Sequence, residues 1–141
     1  QGRQFEGQAA MELEWALEGV ATDETYPFAL AAGPAPWVLD WGPMIQALLG
    51  ERTRLSAGLL AAKLHNTLVA MLLAVAQRAG ERRVVLSGGC FQNRYLTERA
   101  VGALRAAGFA PFWHQRIPPN DGGIAVGQIL AAAYAERPAC V

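Results

Sequence analysis

Apolar residues recur along this chain at two spacings, and the change between them marks its elements. Ala9, Leu13, Ala16 and Leu17 follow helical spacing with acids between them, which predicts an amphipathic helix over residues 8–18 that stops near Gly19. Short apolar runs at 26–30 and 37–40 are bounded by Gly and Pro and predict two strands, paired as a hairpin about the Gly33-Pro34-Ala35-Pro36 turn. Pro43 suits a first helical turn and opens a short helix to about Leu49. Ser56 then caps a long helix to Ala79. Its stripe of Leu59, Leu60, Leu64, Leu68, Met71, Leu72 and Val75 keeps the 3.6-residue period until Gly80.

Beyond Gly80 the order is strand (83–86), Gly turn (87–89), helix (93–107), strand (109–114), Pro-rich loop and a last helix capped by Asp121 and ended before Pro138. That order predicts a parallel pair in a βαβα unit with a right-handed crossover, so the fold class is α/β. There is no internal repeat or low-complexity tract, and the break at 50–54 is a segment boundary rather than a linker.

Composition narrows the function classes. Of 141 residues, 52% are hydrophobic, enough for a substantial core of one domain or part of one. Twelve basic and twelve acidic residues cancel, which leaves no footprint for nucleic acid or an acidic membrane surface. Cys90 and Cys140 form no CxxC pair, so a reduced, cytoplasmic setting is expected. The polar start Gln1-Gly2-Arg3-Gln4 has no signal-peptide pattern, and Lys63, His65 and Asn66 interrupt the most apolar stretch, so a soluble protein is expected. The chain starts without Met, within a few residues of a predicted helix. It therefore reads as a fragment.

Three segments could carry chemistry. Leu86-Ser87-Gly88-Gly89-Cys90-Phe91-Gln92-Asn93 follows a buried-type strand and precedes a helix, where ligands of open α/β sheets collect. Its glycines admit a phosphate or sugar to the backbone, and Asn93 can both donate and accept. A plain turn with an Asn cap reads the same. Pro118-Pro119-Asn120-Asp121-Gly122-Gly123 reads as an ordinary Asp cap, except that two glycines in a first turn weaken a helix by up to about 1 kcal/mol each. Such a cost fits a close-approaching phosphate or metal-bound group. Both loops follow parallel strands, so both should lie at one sheet edge. In the third segment, Phe5 to Glu14, Gly7 precedes a helix and reads as a ligand approach or a plain turn. His65 is expected to be a hydrogen-bonded structural residue, His114 structural or exposed, and Cys90 a small packing residue.

At these segments the text resembles a known family. Phe5 to Glu14 is similar to the YEGQAAxxLE segment of HypF carbamoyltransferases, and Lys63 to Leu68 to their FHNTL helix. Leu86 to Asn93 is similar to LSGGVFQN, with Cys90 at the Val position, and Ile117 to Gln128 to VPPNDGGIALGQ. The matches run in order along nearly the whole chain. The resemblance implies an actin-like ATPase (ASKHA, Kae1-like) fold, of which residues 1–141 are the C-terminal portion, mainly the second lobe. It implies a module that takes carbamoyl adenylate, made from carbamoyl phosphate and ATP in a preceding YrdC-like domain. The module passes the carbamoyl group to the C-terminal cysteine of HypE during cyanide-ligand synthesis for [NiFe]-hydrogenases.

Carried over by residue, Gly88, Gly89 and Asn93 hold the adenylate and Gly7 lines the nucleotide cleft. Gly122 and Gly123 let the phosphate approach, and Asp121 is a ligand of iron or zinc, which would act as a Lewis acid. The family's paired metal histidines, in an upstream HxxxH motif, have no match in His65 or His114. The acylphosphatase, zinc-finger and YrdC-like parts are also missing, so this chain alone is expected to be incomplete. The alternatives are a TsaD-like tRNA threonylcarbamoyl transferase or O-carbamoyltransferase of the same fold, or a non-catalytic nucleotide-binding lobe. The tRNA relatives usually show YPGG and a TDN-type loop instead.

Overall fold

The computed structural model describes residues 5–135. The polar start, Cys140 and the helix stop expected at Pro138 lie outside them. Five α-helices and four strands occur in the described residues: α1 (Gln8–Trp15), β1 (Ala29–Leu30), β2 (Leu39–Asp40), α2 (Gly42–Glu51), α3 (Ala57–Ala79), β3 (Arg83–Leu86), α4 (Arg94–Ala106), β4 (Ala110–Trp113) and α5 (Ile124–Ala135). A 3₁₀ turn at Gly89–Gln92 precedes α4, and another at Asp121–Gly123 precedes α5.

The predicted hairpin is present, but its strands shrink to two residues each, with Ala29 opposite Asp40 and Leu30 opposite Leu39. Phe28 turns instead into the small core formed by Tyr26, Met44 and Met71. α1 is shorter than its pattern. It ends at Trp15 because the chain tightens into i→i+3 turns, Leu17 N–H to Glu14 O and Val20 N–H to Leu17 O, before Gly19 turns left-handed at φ 73°.

The parallel pair is as expected: β3 and β4 run in register from Arg83 opposite Ala110 to Leu86 opposite Trp113, joined through α4. The main core lies between this sheet and two helices. Val69 and Ala76 of α3, Leu86 of β3, and Leu96, Ala100, Val101 and Leu104 of α4 are buried together. Ser56 Oγ accepts from Leu59 N–H at 3.3 Å at the start of α3, and Gly80 closes its end at φ 70°.

α3 has the length and mean hydropathy, 1.7, of a membrane-spanning segment, and half of that stretch is buried inside the fold. Its centre is polar and buried. Lys63 lies 2.7 Å from Glu51 and 3.2 Å from Glu24, and its Nζ sits 4.7 Å from the centre of the Tyr26 ring. Asn66 Nδ2 donates to the carbonyls of Thr22 (2.8 Å) and Glu24 (3.1 Å), and its Oδ1 accepts from Tyr95 O–H. Thr67 Oγ1 accepts from Tyr26 N–H at 2.8 Å and donates to Lys63 O. This is the chemistry of a core helix that pins a distant loop.

α5 differs. None of its residues is buried, and Ile124, Ile129, Leu130 and Tyr134 are all exposed. On the sheet, Val85 and Phe112 are likewise exposed.

Two stability predictions follow from this packing. A Cβ at Gly58 would stand 2.5 Å from Ala16 O and 2.8 Å from Val20 Cγ2, whereas one at Gly102, inside α4, meets nothing within 4 Å. Gly58→Ala is expected to lower unfolding stability by about 1–3 kcal/mol, and Gly102→Ala to raise it by about 0.5–1 kcal/mol, read from denaturant midpoints.

The Lys63–Glu51 pair sets a pH window. Its hydrogen bond to Lys63 holds the Glu51 carboxyl below its ordinary 4.5, so Glu51 stabilises the fold above that value and the contribution fades as pH falls. The same bond raises Lys63 above its ordinary 10.5, against the opposing effect of burial, so its contribution is complete below 10.5 and fades at higher pH. Lys63→Met should flatten the acid limb of a stability–pH curve relative to the parent, checked by denaturation at a series of pH values.

Candidate functional site

β3 delivers the first loop. Gly88 has φ 102° and ψ 159°, a conformation that residues with a Cβ rarely adopt, and it turns the chain directly off the strand. Its N–H donates to Pro119 O at 2.9 Å. Gly89 would meet Asn120 Cβ at 3.9 Å if it carried a Cβ. The loops after β3 and β4 therefore touch, as expected for two loops on one sheet edge. Just beside them, Ser87 Oγ and His114 Nε2 are 3.0 Å apart and exposed, in line with the expectation for His114.

Asn93 caps α4: its Oδ1 accepts from Leu96 N–H at 2.8 Å. Its Nδ2 lies 2.8 Å from His65 Nε2, and His65 Nδ1 lies 2.7 Å from Ala61 O. Glu14 of α1 adds a second cap, its Oε1 accepting from Arg94 N–H at 2.6 Å. Gly7, left-handed at φ 83°, starts α1 and has no side-chain cap.

These pieces surround one cavity of about 520 Å³. Its lining includes Gly7, Glu14, His65, Gly89, Cys90 and Asn93. Three of the predicted positions, Gly7, Gly89 and Asn93, thus meet in one place although Gly7 and Asn93 are far apart in sequence. Gly88 shapes the loop without lining the cavity. Asp121, Gly122 and Gly123 are not in the lining; their loop reaches this region through the Gly88–Pro119 bond and the approach of Asn120 to Gly89.

The second loop differs from its sequence reading. Asn120, not Asp121, is the capping side chain, its Oδ1 accepting from Gly122 N–H at 3.1 Å. Asp121 begins the 3₁₀ turn, and α5 starts only at Ile124. The two glycines therefore precede the helix. A Cβ at Gly123 would lie 2.6 Å from Pro118 O, and one at Gly122 would lie 3.2 Å from Asn120 Oδ1. The loop folding back on itself accounts for the bare Cα of Gly123. Cys90 is exposed rather than packed.

His65 is hydrogen-bonded and buried, as expected, and it also lines the cavity. Its signals in the sequence are the polar Lys63–Thr67 interruption of an apolar stripe and the likeness of Lys63 to Leu68 to the FHNTL helix. No spacing rule links it to Asn93.

Among the described residues no three His, Cys, Asp or Glu side chains are grouped to hold a metal ion. The residues present do not fit a metal site by themselves; Asp121 offers a single carboxylate.

The fold is an α/β subdomain with its loops at the carboxyl ends of two parallel strands and a cavity beside the first of them. Residues 1–128 match the family model described as "Carbamoyltransferase, Kae1-like Domain, second subdomain". The chain is 43% identical to carbamoyltransferase HypF of Synechocystis sp. over 96% of its length and 18% of the relative's. It is 39% identical to HypF of Rhizobium leguminosarum bv. viciae over 94% and 17%. A crystal structure of full-length HypF in the phosphate- and nucleotide-bound form superposes with TM-score 0.84 at 32% identity, covering 97% of this chain and 18% of that one. T. kodakarensis HypF superposes with TM-score 0.76 at 25% identity, covering 95% and 18%. The chain belongs to the HypF-type carbamoyltransferases and spans about a fifth of the length of these relatives.

Gly88 gives the prediction here. Because nothing crowds its missing Cβ, Gly88→Ala should act through backbone strain alone, costing about 1–3 kcal/mol, and a shift of the residue-88 and Asn120 amides in an NMR or hydrogen-exchange map should accompany the lower melting point.

Proposed function

We propose that this chain is the C-terminal portion of a Kae1-like carbamoyltransferase domain, mainly the second lobe of an actin-like ATPase fold. It would act within a longer cytoplasmic protein that carries the carbamoyl group of carbamoyl adenylate to the C-terminal cysteine of HypE. The observation that carries the reading is the convergence of Gly7, Gly89 and Asn93 on one cavity. The likeness to a HypF crystallised with phosphate and nucleotide supports it.

In this reading the chain's own residues bind and orient. The turn at Gly88 and the bare Cα of Gly89 let the adenylate approach the backbone after β3. Asn93 meets a polar atom of the nucleotide, and Gly7, also in the lining, leaves room for it. Gly122 and Gly123 keep the second loop folded tightly, which lets a phosphate approach it. Asp121 would supply one carboxylate to an iron or zinc whose other ligands come from outside this chain. Carbamoyl phosphate and ATP would be consumed in the preceding domain. The exposed apolar side of α5 would be covered by the rest of the longer protein.

In the full-length protein, Asp121→Ala is expected to abolish carbamoylation of HypE, followed by mass spectrometry, while carbamoyl phosphate-dependent consumption of ATP continues. Unchanged HypE carbamoylation would refute the ligand assignment.

A further inference from the structure

The hydrogen bonds beneath the cavity have only one consistent direction. Ala61 O can only accept, so the proton of His65 sits on Nδ1. In the neutral ring Nε2 is then an acceptor, and Asn93 Nδ2 must donate to it. The other end of the same amide agrees: Leu96 N–H can only donate, so the atom it meets is Asn93 Oδ1. Two independent backbone groups, one on α3 and one on α4, thus fix the same orientation of one side chain. The His65 ring cannot easily turn away, because it is 5% exposed and stands edge-on to Tyr95, 5.7 Å between centres at 82°. Tyr95 is itself held by Asn66 Oδ1 at 3.0 Å.

A cap alone does not require this arrangement, since Asp or Ser accepts from an N–H as well as Asn does. A hydroxyl that accepted from Leu96 and donated to a neutral imidazole would use its one hydrogen, whereas an amide does both and keeps a second N–H. Of the two hydrogens on Asn93 Nδ2, one goes to His65. The other is left over, on a residue that lines the cavity.

We infer that His65 is a positioning residue, which acts through Asn93: it locks the Asn93 amide with its NH₂ as a donor, so that this part of the cavity takes a hydrogen-bond acceptor oxygen of the bound nucleotide. This rests on the reading of the cavity as a nucleotide site. His65 makes no demand on the ligand itself. Its contribution is to prevent the amide from inverting, which would present an acceptor to an acceptor and release the first turn of α4.

The test uses the full-length protein and ATP as the probe, with the ATP site of the preceding domain resolved as a separate calorimetric phase that these variants leave unchanged, and melting curves to verify folding. Asn93→Ala is expected to weaken ATP binding about tenfold, and His65→Leu by a similar factor. His65→Gln, whose side-chain oxygen can still accept from Asn93, should recover affinity to within about threefold of the parent. Adding His65→Leu to Asn93→Ala should cost nothing further, because the histidine acts through the asparagine. Asn93→Asp keeps the cap but removes the donor, and should bind ATP no better than Asn93→Ala. If His65→Leu and Asn93→Ala multiply, or if a folded His65→Gln binds as poorly as His65→Leu, the positioning inference is overturned. If Asn93→Ala weakens binding and His65→Leu does not, the inference falls alone and the nucleotide reading stands. Unchanged binding in Asn93→Ala overturns the nucleotide contact and the inference with it.

Discussion

The polar centre of α3 is the constraint on which the rest of the structure depends. A 23-residue helix with an apolar stripe could pack in several ways, but Lys63, His65, Asn66 and Thr67 are all buried in its middle. Each would be costly without a partner, because a buried polar group left unsatisfied loses its water and gains nothing. The partners come from four other places: Thr22, Glu24 and Tyr26 in the loop after α1, Glu51 at the end of α2, Tyr95 inside α4, and Asn93 at its start. Hydrophobic burial draws these segments onto α3. The polar contacts decide the register in which they settle.

That same set of contacts builds the site. His65 lies one residue from Asn66, so the residue that pins the loop and the residue that orients the cavity amide move together. The α4 N-terminus is held twice, by Asn93 from within and by Glu14 from α1. The cavity is therefore lined by groups whose positions are set by the packing of three helices rather than by a free loop. A cavity supported in this way has its geometry set by the fold itself.

Much of this was legible in the sequence, for physical reasons. The 3.6-residue stripe, Ser56 and Gly80 bound α3 because caps and periodicity are local. β3, α4 and β4 were legible within a residue or so, and the motif text singled out Gly7, Gly89 and Asn93. What failed was short-range competition. Asn120 and Asp121 are both good caps, and nothing local says which one turns inward; the choice follows from the fold-back of Pro118 onto Gly123. The strands at 26–30 and 37–40 lost length because Tyr26 is drawn to Thr67, 41 residues away. The His65–Asn93 bond was also invisible, since 28 residues of separation carry no pattern to read.

The two glycine loops are coupled by a single backbone bond from Gly88 to Pro119 O. Gly88 is held in a conformation available almost only to glycine, and Pro118 and Pro119 restrict the chain on the other side. Neither partner can easily shift to keep the bond if the other moves. A displacement of the Asp121 segment would therefore be felt at Gly88, and through Gly89 at the cavity wall, without any residue of the second loop lining that cavity. This explains how Asp121, Gly122 and Gly123 can lie outside the cavity while their loop still belongs to the same sheet edge. It also separates two tasks in the structure: α1, α3, the 3₁₀ turn after β3 and the start of α4 line the pocket, and the loop after β4 braces that turn from outside it.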